Sequence, residues 1–370
     1  MVDSCAQREE GRRALLAGDC EVAIAALSEA VRQGPDDGGA WFLLGVTHHR
    51  MQQLAAAKEA LTQAAQLEPQ HLQAHFALAA VCLEAGDVHA ALAASEQAAA
   101  MAPNDTQACF NLAVAQEAAG QSEQALDAYD RAIVLLPTYA DAHKNRIALL
   151  QREGKTEAAV ASAQAFVKRQ PFSPDAQFSL GDALLKALRH AEAAGAFARA
   201  VTLQPNNAQA RLLTGFALAQ CERFDEAQRA LDRAAALDPT LLASYRESIF
   251  GREGRAPVSR LDARVLFLLR HYDAIERCEW GARDYFLQRF AELIDQSGDE
   301  PLTERALGFR AMTMGLALPL QLSLARQLAS GIEKPPALPG GSASLLPSRA
   351  GAPRIRIGYV SLDFRDHPTG

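Results

Sequence analysis

Histidines, cysteines and a pair of asparagines are the side chains in this 370-residue chain with chemistry to offer. His71 and His75 stand four residues apart, and His48 and His49 are adjacent. Zinc takes three or four protein ligands, and neither pair has a third at a matching spacing, so no metal site is predicted. The six cysteines, Cys5, Cys20, Cys82, Cys109, Cys221 and Cys278, form no Cys-x-x-Cys pair. Such scattered thiols read as reduced residues used as small buried hydrophobes. Asn111 and Asn145 lie 34 residues apart, and each carboxamide can both donate to and accept from an extended peptide backbone. Asp141 and Lys144 add charge beside Asn145. Near the end, Ile355, Ile357, Tyr359 and Val360 read as a β-strand entering a polar loop with Asp363, Asp366 and His367. Sheets of the α/β type place ligand sites at that end of a strand.

The 34-residue interval belongs to the whole N-terminal two-thirds. Pro35, Pro69, Pro103, Pro137, Pro171, Pro205 and Pro239 are evenly spaced by 34 residues, which marks an internal repeat. With proline numbered position 32 of each unit, position 20 is alanine in all seven units, Ala23 through Ala227. Position 15 is glycine in four, Gly18, Gly86, Gly120 and Gly154. The fullest unit reads Trp41-x2-Leu44-Gly45-x2-His48, then Ala57-x3-Leu61, Ala64 and Pro69, and resembles the tetratricopeptide repeat. Small residues at positions 8, 20 and 27 let two helices approach closely, and only the fifth unit departs, with Ile147 and Phe166. Glycine at 15 ends the first helix and proline at 32 stops the second. The short polar residues Asn104-Asp105-Thr106, Asn206-Asn207 and Ser173 then supply caps. Stacked units bury a continuous core, and the first helix of each lines the inner face. Position 6 of that helix reads Glu9, Leu43, Ala77, Asn111, Asn145, Ser179 and Leu213.

Composition limits the function classes. Half of the residues (49%) are apolar and 22% are charged, a globular profile, with a net charge of -7. Residues 1–240 carry 20 basic and 29 acidic side chains, a poor match for nucleic acid or an anionic membrane. The longest runs free of Asp, Glu, Lys and Arg are 15 residues, too short to span a bilayer. Residues 1–10 contain no apolar stretch of the secretory kind, so a cytoplasmic protein is expected.

Beyond the repeats, 240–332 keeps helical patterning, with Leu261, Val265, Leu268, Leu269 and Tyr272 on one face. Residues 333–353 form a Pro/Gly/Ser linker, and 354–370 opens a strand. Seven repeats over 4–239, Cys278-Glu279-Trp280, a linker, and Gly358-Tyr359-Val360-Ser361 followed by His367-Pro368-Thr369 together resemble the protein O-GlcNAc transferase family. The resemblance implies an all-α superhelical solenoid ending at the first β-strand of a Rossmann-like glycosyltransferase lobe. It implies transfer of N-acetylglucosamine from UDP-GlcNAc to Ser or Thr of acceptor polypeptides held in the groove, with no cofactor. His367 then matches the active-site histidine, and Asn111 and Asn145 match an asparagine ladder that grips the acceptor, with Asp141 alongside. Ser179 and Leu213 replace asparagine in the last two units. The family's UDP-binding residues lie beyond the His-Pro segment, so the chain is expected to be the N-terminal portion of a longer enzyme, inactive alone. The contrasting expectation is a non-enzymatic scaffold for extended peptides or partner helices. A carboxylate clamp is not expected, since Lys144, Asn145 and Arg211 are too dispersed. Homo-oligomerisation is left open.

Overall fold

The computed structural model describes residues 2–241 together with Ala263, Arg264, Leu266, Phe267, Tyr285, Gln288, Arg289 and Glu292. Cys278-Glu279-Trp280, the linker 333–353, the strand expected at 354–370 and His367 lie outside the described residues.

Within residues 2–241 every repeat is a helix pair in the predicted register. The first helices are α1 (Val2–Ala17), α3 (Gly38–Arg50), α5 (Leu72–Glu84), α7 (Thr106–Ala118), α9 (Ala140–Arg152), α11 (Pro174–Lys186) and α13 (Ala208–Gln220). The second helices are α2 (Cys20–Gln33), α4 (Leu54–Leu67), α6 (Val88–Met101), α8 (Ser122–Leu135), α10 (Thr156–Arg169), α12 (His190–Leu203) and α14 (Phe224–Leu237). No strand occurs among the described residues.

Both helix ends follow the punctuation in the sequence. Asp37, Asp105, Ser173 and Asn207 accept from the backbone N–H three residues on, capping α3, α7, α11 and α13. At position 15 the chain turns left-handed in all seven units, not only the four with glycine. Gln52, Leu188 and Glu222 adopt φ of 59°, 62° and 59° beside glycines at 69–89°. In each unit the next N–H then reaches back five residues, as Asp87 N does to Cys82 O at 2.8 Å, closing a Schellman-type end.

Inside each pair, positions 8 and 24 share one space. A Cβ on Gly45 would meet Leu61 Cγ at 2.6 Å, and one on Gly181 would meet Phe197 Cδ1 at 2.6 Å. Gly11 with Leu27 and Gly215 with Leu231 repeat the pattern. This accounts for the fifth unit: Ile147 is bulky at position 8 because position 24 is Ala163, and both are buried. The core runs lengthwise, and its largest cluster joins α9–α14 to Ala263 and Leu266. Those two residues cover the open end of unit 7, and Gln220 donates to the Leu266 carbonyl at 3.3 Å.

Candidate functional site

First helices touch their successors (α1 with α3, α3 with α5, α5 with α7, α9 with α11), whereas no pair of second helices makes comparable contact. The curvature therefore puts the first helices on the inner face, where position 6 lies half-buried from Leu43 to Leu213.

The two asparagines are held differently. Asn111 accepts from Gln107 of its own helix at 2.7 Å. Asn145 lies across the repeat boundary beside the Tyr129 hydroxyl and acts to lower its pKa. That hydroxyl donates to Glu117 Oε2 at 2.7 Å, and Arg152 Nη2 donates to Glu117 Oε1 at 2.6 Å. Burial and the adjacent carboxylate push the Tyr129 phenol well above its ordinary pKa. Asn145 thus stands beside a Tyr129–Glu117–Arg152 network that joins units 4 and 5, and its carboxamide can both donate and accept. Asp141 is exposed and pairs with Lys144 at 2.9 Å, and that bond raises the lysine pKa.

Glu117–Arg152 is one rung of a longer series that the sequence reading missed. Position 12 of one unit meets position 13 of the next. His49 Nε2 lies 2.9 Å from Glu84 Oε2, Lys186 donates to Gln151 at 2.7 Å, and Arg50 donates to the Leu15 carbonyl at 3.2 Å. The 35-residue offset was readable only once first helices were known to be neighbours. Position 5, beside the asparagine column, was also missed. It carries Phe42, Phe76, Phe110 and Phe178, each half-buried, and Phe110 packs on Tyr139 at 5.0 Å between ring centres.

The histidines have structural partners. His75 Nε2 is 3.1 Å from the Pro69 carbonyl, and His143 Nε2 is 3.1 Å from the Pro137 carbonyl, so in both the Nε2–H must be the donor. The same position 4 holds Trp41, Cys109, Gln177 and Arg211, each donating to the proline carbonyl six residues earlier. The column has no common residue type, but every member carries an N–H or S–H. His71 instead packs tilted against Phe42, 4.7 Å between ring centres. Among the described residues no group of three His, Cys, Asp or Glu is placed to hold a metal ion. None of the described helices is long and apolar enough to cross a membrane.

These features define a repeat solenoid with a half-polar, half-aromatic inner face. The tetratricopeptide-repeat family model matches residues 8–57, 48–106, 83–140 and 148–208, more than half of the chain, and the protein belongs to that family. A tetratricopeptide repeat protein from Parabacteroides merdae is 15% identical at a TM-score of 0.51, covering 73% of this chain and 99% of that one. MamA from Desulfovibrio magneticus is 24% identical over 46% of this chain and 94% of that one, with a TM-score of 0.42. YrrB, described as having an unusual peptide-binding site, is 21% identical over 52% of this chain and all (100%) of that one, with a TM-score of 0.40. None of the curated proteins matches the sequence.

Proposed function

We propose that the solenoid binds an extended polypeptide along its inner face, as the acceptor-recognition part of a protein O-GlcNAc transferase. The binding half of this reading is supported by one observation above others. Asn145 stands half-buried on the inner face beside the Tyr129–Glu117–Arg152 network, with a carboxamide able to donate to and accept from a peptide backbone. Asn111 stands one repeat away, and the half-buried position 5 phenylalanines flank the column. Packed helices are about 10 Å apart and an extended chain rises about 3.3 Å per residue, so each repeat meets every third residue of the guest.

The transferase half rests on the sequence elements Cys278-Glu279-Trp280 and Gly358-Tyr359-Val360-Ser361 with His367-Pro368-Thr369. On this reading a Ser or Thr hydroxyl of the bound polypeptide attacks the anomeric carbon of UDP-GlcNAc, and the bond to UDP breaks. The hydroxyl proton goes to a base, with His367 in that role or positioning the acceptor.

The test takes the protein isolated from its native source, radiolabelled UDP-GlcNAc and a lysate. Label is expected in lysate polypeptides, and His367→Ala should abolish it. Asn111→Ala with Asn145→Ala should lower polypeptide labelling while leaving any hydrolysis of the donor unchanged. Absence of label under saturating donor, with polypeptide binding retained, would replace the transferase by a non-enzymatic scaffold.

A further inference from the structure

Unit 3, residues 72–105, is where the packing rule of the other units lapses. Elsewhere positions 8 and 24 are complementary in size: glycine against Leu27, Leu61, Phe197 or Leu231, Ala113 against Tyr129, Ile147 against Ala163. Unit 3 sets Ala79 against Ser95, small on both sides. Helix α6 buries Ala91, Ala94, Ser95, Ala98 and Ala99, with nothing larger among them. Ser95 is fully buried (0% exposed) and its Oγ has no hydrogen-bond partner. Helical serines ordinarily settle that hydroxyl on the carbonyl one turn back.

A second, independent lapse falls at the same joint. The polar rungs between first helices are His49–Glu84 from unit 2 into unit 3, then Glu117–Arg152 and Gln151–Lys186 joining units 4, 5 and 6. Between units 3 and 4 the two positions are Leu83 and Ala118, which carry no polar group; between units 6 and 7 Leu185 also omits the rung, but Gln220 there donates to the Leu266 carbonyl instead. Polar ties across this joint include two at the turn around Pro103, whose carbonyl accepts from Arg131 at 2.9 Å and from Cys109 at 3.6 Å.

We propose that unit 3 is a built-in hinge, pivoting at the Pro103 turn, where units 1–2 bend relative to units 4–7 and change the width of the inner groove. The buried face of α6, made of methyl groups and one serine, makes few dispersion contacts with α5, and the unpaired Ser95 hydroxyl weakens the unit further. In a solenoid each unit touches only its neighbours, so a weak unit uncouples the blocks on either side without unfolding them. The hinge stands on packing and is independent of what the groove holds.

Native-state hydrogen exchange on the full chain decides it. Amides of α5 and α6 are expected to exchange about tenfold or more faster than those of α3, α4, α7 and α8. Ser95→Leu fills the space and should bring them to the neighbours' rates. Ser95→Ala, which removes the hydroxyl without adding volume, should leave exchange fast. Wild-type α5 and α6 protected as well as their neighbours would overturn the hinge, whether or not Ser95→Leu folds. Slowing by Ser95→Ala to the neighbours' rates would overturn the missing volume as its cause.

Discussion

Single residues carry two features with measurable consequences. At position 15 three side-chain-bearing residues are held left-handed, which costs about 1–2 kcal/mol each, while glycine forfeits about 0.5–1 kcal/mol of extra backbone entropy. Leu188 is 63% exposed at φ 62°, so removing its side chain sacrifices little burial. Leu188→Gly should stabilise the protein by about 0.5–1 kcal/mol in urea unfolding. Gly154→Ala, with nothing within 4 Å of the added Cβ, should destabilise it by a similar amount through the backbone alone. The second feature is His143, stacked on Phe166 at 4.4 Å between ring centres. Burial pushes its pKa below the ordinary value; Arg169 and Arg146 act the same way, while the Pro137 carbonyl and Asp130 oppose. The folded state therefore binds fewer protons than the unfolded one, so the stability His143 gives is complete above the unfolded pKa, about 6.5. It is lost as pH falls from there toward the lower folded pKa. Gln177 makes the same bond to a proline carbonyl without titrating. His143→Gln should flatten the loss of stability between pH 7 and about 5.5, and an unchanged pH profile would remove His143 as its source.

Helix pairs obey a volume constraint that no single position reveals. Position 8 and position 24 fill one space, so Gly181→Ala, driving a Cβ to 2.6 Å from Phe197 Cδ1, should cost about 1–3 kcal/mol. Shrinking the partner relieves the clash. Gly181→Ala combined with Phe197→Leu should therefore cost less than the sum of the two single changes. Additive costs in a double-mutant cycle would mean the two positions do not share that space. The same constraint explains why Ile147 is tolerated opposite Ala163, and it identifies unit 3 as the pair left unfilled.

Across the whole molecule stability is a chain of neighbour contacts rather than one core. Unit 1 packs on one neighbour only among the described residues, and its helices bury Leu15, Ala23, Ala26, Leu27, Ala30 and Val31. Unit 7 is covered by Ala263 and Leu266. Leu27→Ala, about 2–5 kcal/mol in an ordinary core, should therefore strip exchange protection from α1 and α2 while α7 to α14 keep theirs. Uniform loss along the chain would show instead that the solenoid unfolds as a single unit. Binding of a polypeptide along several repeats would add the opposite signature, protection spread over the first helices it touches.

The sequence by itself determined the period, the register and the helix boundaries, because these depend on local chemistry. Proline every 34 residues, alanine at position 20 and the caps Asp105, Ser173 and Asn207 act within a few residues of where they stand. It also put Asn111, Asn145 and Asp141 on first helices, the elements that line the inner face. What only the tertiary structure decided involves partners far apart in the chain. The left-handed turns at Gln52, Leu188 and Glu222 are imposed by the packing of helices on both sides, against the preference of those residues. The donor column to the proline carbonyls, the rungs 35 residues apart and the approach of Asn145 to the Tyr129 hydroxyl each need two surfaces brought together. A one-dimensional pattern records which residues recur, and only the stacked helices show which of them meet.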